Sequence, residues 1–496
     1  MLLDALTDRG AAGRDFDICI IGAGPAGITL ARKLGAQGLR VALMEAGGPE
    51  YDDASQSLYE GKVSGLDYWP LELPRLRYFG GSSNHWAGWS RPLDHMDFAA
   101  RAHVPLSGWP IDRSDLDPYA GETDAILELP ERVELPPLTQ TEDRFRRFQM
   151  RFSPPVRFGE KYGDEIARSE EISCFFNANL VDLQLDAGLG RVVSGRFRSL
   201  DPDDRGFDVR AAFFCLATGG IENARLLLNF DRQMRGGIGN MTGQVGRHFC
   251  EHPHFVVADV LMESALEDLE FYRPTEAFAQ AGQTLNFGLR LEPERFNPPG
   301  APPRAAVGSC AAPLPEDLVA ALGSKPSPAL RDFLDRAEAS SCPTATLRIA
   351  SEQCLNPESR VRLAAGRDAL GLRRCDLHWA LTGLDIHTMR TAAIAFGTHL
   401  AEQNRGRLRL RDWLLAERTL LPGVDMDEVG GKHHMCTTRM SEDPAEGVVD
   451  ADCRVHGIEN LYIGGSSVFA TGGQSNPTYT IIQMTLRLAD HLQQRI

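Results

Sequence analysis

Residues 15–48 read "DFDICIIGAGPAGITLARKLGAQGLRVALMEAGG". The run 15–21 is apolar enough for a buried strand, and Gly22, Gly24 and Gly27 then punctuate a turn. Ile28, Ala31 and Leu34 follow at helical spacing, and "RVALMEA" (40–46) reads as a second strand carrying Glu45 near its end. Strand, glycine turn, helix and strand make a βαβ unit in which each glycine has its own task. Gly22 permits the tight turn, Gly24 lets backbone approach a pyrophosphate, and Gly27 lets the helix pack closely on the strand. Glu45, 18 residues past Gly27, stands where a carboxylate accepts from a ribose hydroxyl. Together these positions predict a dinucleotide-binding unit rather than a merely tight loop.

Farther along, "VRAAFFCLATGGIENARLLLN" (209–229) repeats the pattern of buried strand, glycine turn and amphipathic helix, with Thr218 in the turn. "EISCFFNANLVDLQLD" (171–186) reads as a strand beside it. The C-terminal "GIENLYIGGSSVFATGGQSNPTYTIIQMTLRLADHL" (457–492) is again strand, glycine-serine loop and long helix, with Pro477 at the first helical position. Between them the style changes. The Pro/Ala-rich "RFNPPGAPPRAAVGSCAAPLP" (295–315) precedes mixed helix and strand patterns at 358–381 and 385–403. The expected fold is α/β: a Rossmann-like lobe in three pieces (14–100, 171–255 and 421–496), a linker and cap segment (101–170), and a discontinuous α+β substrate lobe (256–420).

Composition is consistent with this. A chain of 496 residues is too long for one ordinary core and divides into lobes. With 43% hydrophobic and 24% charged residues it belongs to the globular class. A net charge of −16 repels phosphate backbones and anionic lipid, which argues against nucleic acid and membrane as partners. The ten cysteines form no Cys-x-x-Cys pair and several sit in apolar runs, as reduced thiols in a cytoplasm do. The N-terminal residues lack the apolar core of a signal peptide, and no run of about 18 apolar residues suggests a spanning helix. The expected location is cytoplasmic; oligomeric state is left open.

The order of motifs resembles the glucose-methanol-choline (GMC) family of FAD oxidoreductases: "GAGPAG", the loop "GGSSNH" (80–85), "ATGGIENARLLL", "HHMCTTRM" and "NLYIGGSSVFATGGQSNPTYTI" occur in family order. The branch of pyranose oxidases and related bacterial enzymes is the most similar, through "GGSSNHW". The resemblance implies FAD held between two lobes and oxidation of a hydroxyl group, with a sugar, glycoside or polyol as substrate and oxygen or another acceptor taking the electrons. It implies flavin contacts from Gly80, Gly81, Ser82 and Asn84, and from Gly465, Pro477 and Thr478. His85 matches the position that some members join covalently to the flavin; in others FAD stays noncovalent.

Alcohol oxidation at a flavin needs a base for the hydroxyl proton and a partner for the alcohol oxygen. Histidine suits the base because its ordinary pKa of about 6.5 lies near working pH. "GGKHHMCTTRM" (430–440) offers His433 and His434. The family pattern, with the histidine three residues before a Gly-Thr pair and seven before a methionine, selects His433, with Thr437 and Met440 in register. Cys436 departs from the family's glycine and puts the conformation of that turn in question. Asn476 matches the second catalytic position and is equally placed to cap the final helix. His248, His252 and His254, with Glu251, form a cluster read as a structural joint rather than a metal site. His378 and His387 face either substrate or core. An alternative on the same fold is a non-oxidative flavoprotein, a lyase or decarboxylase.

Overall fold

The computed structural model describes all residues except 8–12, 137, 139–142, 294–327, 341–342, 417–418 and 425–428. The Pro/Ala-rich stretch 295–315, Cys310 and Cys342 therefore lie outside the described residues; the other eight cysteines are free and buried.

Eight strands form the first sheet. Asp15–Ile21 lies at its centre, flanked in parallel by Val41–Met44 and by Phe207–Leu216. Ile172–Phe176 and Leu2–Asp4 extend one side, and Leu461–Ile463 adds in parallel to the end of Phe207–Leu216. Val192–Arg198 and Asn179–Leu185 continue the sheet antiparallel. The parallel strands are buried on both faces, which is why they read as unbroken apolar runs rather than alternating ones. The stretch 171–186, expected as one strand, is two, because Asn177 turns through a left-handed φ of 57° and sends the chain across the sheet. Helices Pro25–Gly35 and Pro477–Gln493 pack on each other above the sheet. Strands from before residue 100, from 171–255 and from after 421 thus share one sheet.

A second, antiparallel sheet has the order Gly406–Leu410, His254–Met262, Thr344–Ser351, Phe287–Pro293, Glu270–Pro274 and Phe145–Arg147. Its last strand comes from the segment read as linker. Leu289, Leu291, Leu347 and Ile349 are buried on one face, the residues between them face the other way, and helix Gly383–Glu402 packs against the sheet. Arg360–Arg367 and Arg373–Trp379 stand apart from this sheet; they pair with each other, and Arg373–Trp379 pairs in parallel with Gly61–Gly65. Among the described residues no helix is long and apolar enough to cross a membrane.

The pieces are joined by a buried ion network. Glu222, 2% exposed, begins the helix after the second glycine turn. Arg225 donates to it at 2.7 Å and also bonds Asp368 beyond the second sheet's territory. Arg75 and Arg77 approach the same carboxylate at 3.8 and 3.9 Å. Breaking such a network strands charge in the core, which is costly because the desolvation is no longer offset. Arg225→Met leaves Glu222 and Asp368 without their shared cation; the expected loss is about 3–5 kcal/mol, read as a lowered midpoint in denaturant titration.

Candidate active site

The glycine turn is pre-formed by the acid that follows it. Glu45, buried, accepts from the backbone N–H of Ala23 and of Gly47, both at 2.9 Å. Gly22 adopts φ 104°, and a Cβ on Gly27 would stand 1.8 Å from the Gly22 carbonyl oxygen, so Gly27 serves helix packing. Above the turn lies a chamber of about 1190 Å³ between the two sheets, large enough for a dinucleotide together with a small substrate. Gly22, Gly24, Glu45, Thr218, Gly465, Pro477 and Thr478 all line it.

The loop 80–85 runs along the same cleft. Gly80 N–H donates to the Ala23 carbonyl at 2.9 Å, and a Cβ on Gly81 would meet Gly24 Cα at 3.1 Å. Gly81, Ser82 and His85 line the chamber. Gly80 and Asn84, expected among the cofactor contacts, do not: Asn84 donates to the Phe79 carbonyl at 2.9 Å, and both residues shape the turn instead. The His85 imidazole bonds the Pro74 carbonyl, and burial first, then Lys432, hold its pKa below the ordinary value.

At the far end of the chamber His433 and Asn476 meet: Asn476 Nδ2 is 3.1 Å from His433 Nε2. Asn476 begins helix Pro477–Gln493, yet its side chain makes no capping bond there. On the other side His433 Nδ1 lies 2.9 Å from His252 Nδ1, and His252 Nε2 lies 3.1 Å from the Gly472 carbonyl. A carbonyl only accepts, so His252 carries its proton on Nε2 and accepts at Nδ1. His433 then carries its proton on Nδ1, and its Nε2 lone pair receives the Asn476 amide. Both rings are neutral: burial lowers His252 to about 4, and burial followed by His252, His254 and His434 puts His433 well below its ordinary value.

Glu251 holds this pair in place. Its carboxylate accepts from the backbone N–H of His252 at 2.8 Å and of His433 at 2.8 and 3.0 Å, and from Tyr68 Oη at 2.5 Å. Burial raises it to about 7, with Tyr68 and the backbone donors opposing. His434 turns the other way, Nε2 2.9 Å from Tyr68 Oη, lowered by burial to about 3. The cluster read as a structural joint therefore supplies site residues: the His252 and His254 ring centroids lie 5.0 and 6.0 Å from that of His433. Their repeated histidines were the one available signal. His378 and His387 stay outside, bonding Ser64 Oγ at 3.1 Å and the Gly282 carbonyl at 2.8 Å. Among the described residues no group of three or more His, Cys, Asp or Glu is arranged to hold a metal.

Residues 356–485 match the family model described as GMC oxidoreductase. The 2-methyl-1,2-propanediol dehydrogenase of Mycolicibacterium austroafricanum is 23% identical, over 97% of this chain and 95% of that protein. Pyridoxine 4-oxidase from Mesorbium loti shares the fold at TM-score 0.58 and 18% identity, over 97% of this chain and 99% of that one. Formate oxidase from Aspergillus oryzae RIB40 does so at TM-score 0.55 and 14% identity, with the same coverage. Residues 356–485 are thus similar to the GMC oxidoreductases, and the fold matches solved structures over nearly the whole chain. The cofactor this likeness implies is FAD.

The residues present fit that cofactor. A Cβ on Gly24, Gly219 or Gly465 would stand in open space, and all three line the chamber, so bare backbone faces the cavity where a phosphate chain or ring edge would lie. The N-termini of Pro25–Gly35 and Pro477–Gln493 open onto it, a placement that favours negative charge.

Cys436 answers the question its sequence raised. It adopts the left-handed φ of 67° that a glycine would take freely, its thiol buried against Cys250. That conformation costs about 1–2 kcal/mol for a residue with a side chain. Cys436→Gly should keep stability within about 1 kcal/mol, relief of strain offsetting the lost burial, whereas the β-branched Cys436→Val should fall clearly below it in thermal unfolding.

Proposed function

We propose that the protein oxidises a hydroxyl group of a small polar alcohol, a polyol, sugar or glycoside, to the carbonyl, with His433 as general base and Asn476 as partner of the alcohol oxygen. The observation that carries this reading is the 3.1 Å pairing of Asn476 Nδ2 with His433 Nε2, whose lone pair the His252–Gly472 series leaves as the ring's acceptor at the chamber. An alcohol entering there donates its O–H to His433 Nε2 and accepts from the Asn476 amide, which turns from ring to substrate. FAD, when bound, supplies the acceptor for the hydride that leaves the carbinol carbon. As that bond breaks, His433 takes the hydroxyl proton on Nε2 while Nδ1–H stays on His252, so the ring neither rotates nor changes tautomer. The polar wall of the second sheet supports a substrate with several hydrogen-bonding groups. Oxygen or another acceptor completes the cycle.

His433→Ala should slow anaerobic reduction of the flavin by a panel of sugars, glycosides and polyols by about 10²–10⁴-fold with little change in binding. Asn476→Ala should also slow it, and the double variant should fall short of the product of the two losses, since both residues hold one oxygen. His434→Ala, whose ring faces Tyr68, should cost far less; the reverse ranking would overturn the assignment.

The lowered pKa of His433 sets the pH dependence. The protonated ring is the inactive form, and burial disfavours it, so the rate constant for reduction should stay level from about pH 9 down past the ordinary histidine value of about 6.5 and fall only in more acidic buffer. An acid limb centred at 6.5 or above would refute a dry, neutral base.

We further propose that His85 is the attachment point of a covalent flavin, its imidazole already fixed by the Pro74 carbonyl and exposed to the chamber. The denatured protein should then keep flavin fluorescence on a gel, and His85→Ala should bind FAD yet release it on denaturation. Complete release from the parent protein would reject the bond and leave the cofactor assignment standing.

A further inference from the structure

The loop that ends in Asn476 carries a second amide, Gln474, whose side chain lines the chamber although the residue is only 4% exposed. Its Nε2 donates to Asp94 Oδ2 at 3.3 Å. Asp94 is ringed by donors: Arg91 Nη1 at 3.1 Å and Asn286 Nδ2 at 3.2 Å reach the same oxygen, and Arg91 Nη2 bonds the other. Burial pushes the Asp94 carboxyl up, but Arg91 and Arg273 outweigh it and hold the group below its ordinary value. An ionised carboxylate only accepts, so Gln474 turns its NH2 toward Asp94 and its oxygen the other way.

That oxygen meets the second sheet. A Cβ on Gly288 would stand 2.6 Å from Gln474 Oε1 and 3.7 Å from Phe148 Cζ, so the bare Cα of Gly288 is what makes room for the oxygen. Gly288 and Phe148 line the chamber as well. Among the described residues no N–H or O–H donates to Gln474 Oε1, and a buried acceptor without a donor is costly. Strand register places it relative to the proposed base. His254 pairs with Ala350, and Ala350 with Gly288, so the three stand side by side on the chamber wall. The His254 ring is 6.0 Å from that of His433. Two strand spacings of about 4.8 Å then carry the row from beside the base to the Gln474 oxygen.

We propose that Gln474 determines substrate specificity: its Oε1 accepts from a second hydroxyl of the alcohol, which restricts the preferred substrates to diols and polyols whose two hydroxyls lie a few carbons apart. This rests on the reading of His433 and Asn476 as the reacting end. The amide cannot rotate to offer its NH2 instead, because Asp94 holds that group. A neutral amide oxygen suits a hydroxyl rather than an ammonium group, whose lost hydration it would not offset. A monoalcohol bound at the base leaves the oxygen unpaired, and Phe148 gives the intervening carbons an apolar surface.

The test separates the subsite from the reaction. FAD-loaded protein whose flavin has been reduced beforehand, with oxygen excluded, binds alcohols without taking a hydride from them. Calorimetric titration of that protein with the terminal diols of ethane, propane and butane, each against its monomethyl ether, reads the subsite alone, since the ether keeps one hydroxyl and loses the second donor. For at least one chain length the diol should bind about three- to tenfold more tightly, the worth of one neutral hydrogen bond. Gln474→Met should erase that preference while leaving ether affinity, the control for an intact chamber, unchanged. Gly288→Ala, which crowds the oxygen from the opposite wall and keeps the amide, should reduce the preference too; it carries the comparison if Gln474→Met weakens the ether as well. Equal affinities within every pair in the parent protein, or a preference that survives both substitutions, would overturn the subsite. Flavin reduction of the oxidised protein by the same pairs then reads the reaction. A diol preference in rate that vanishes in the variants supports the substrate class. Tighter diol binding with no reduction by any alcohol would leave the subsite standing and fail the oxidation reading instead.

Discussion

Three stretches of chain far apart in sequence meet on the carboxylate of Glu251. It receives Tyr68 from the N-terminal third, the backbone of His252 beside it, and the backbone of His433 from the C-terminal lobe. The His252 N–H and the Tyr68 hydroxyl it satisfies are buried and the His433 N–H is part-buried, and a buried donor left without a partner costs about 1–3 kcal/mol. The alternative for the chain is to separate the segments and hydrate them, which would open the chamber. Glu251 therefore closes the far end of the cavity and fixes the spacing between two rings that have no covalent reason to be near each other.

From that fixed point the hydrogen bonds acquire a direction. Gly472 presents a carbonyl at one end and Asn476 an amide at the other, and both lie on the same loop before the final helix. The loop is braced from behind: Thr471 donates to the Asp97 carbonyl, and Ser475 is held by Arg91 at 2.8 Å. An acceptor and a donor on one rigid loop leave the two intervening imidazoles a single neutral arrangement. Tautomer and orientation are then properties of the backbone rather than of a chance rotamer.

Much of the nucleotide lobe was legible because its signals are local. Gly22 to Gly27 and Glu45 sit within one βαβ unit, where period and glycine spacing carry the geometry. The rest depends on contacts that leave no trace in a short window. His252 and His433 are 181 residues apart, and nothing in "GRHFCEHPHF" distinguishes a ring facing a cavity from one facing a core. The pairing of Arg373–Trp379 with Gly61–Gly65 rather than with the second sheet is likewise a choice of partner made across more than half the chain. At Asn84 the motif is local, but which of its side chains faces the cavity depends on a 3-10 turn that composition does not announce. Cys436 shows that a residue type can mislead while the backbone keeps its shape, since the left-handed turn persists without its glycine.

Where Glu251 stands also explains where it does not. A carboxylate bonded to the His433 ring would favour the imidazolium and raise its pKa, filling with a proton the lone pair an alcohol would need. Glu251 instead bonds the His433 backbone N–H, so it fixes the residue without charging the ring. Desolvation then dominates, and His252, His254, His433 and His434 all lie below the ordinary histidine value. Neutral rings can pack edge to edge in a dry core with no like-charge repulsion, which is what allows four histidines to share so small a volume. When Nε2 of His433 does gain a proton, the new positive charge forms on a residue whose backbone the Glu251 carboxylate already holds, and the attraction of a nearby carboxylate favours it. In the proposed reaction that attraction is absent from the resting ring and present once the proton has moved, so it lowers the barrier rather than the starting state.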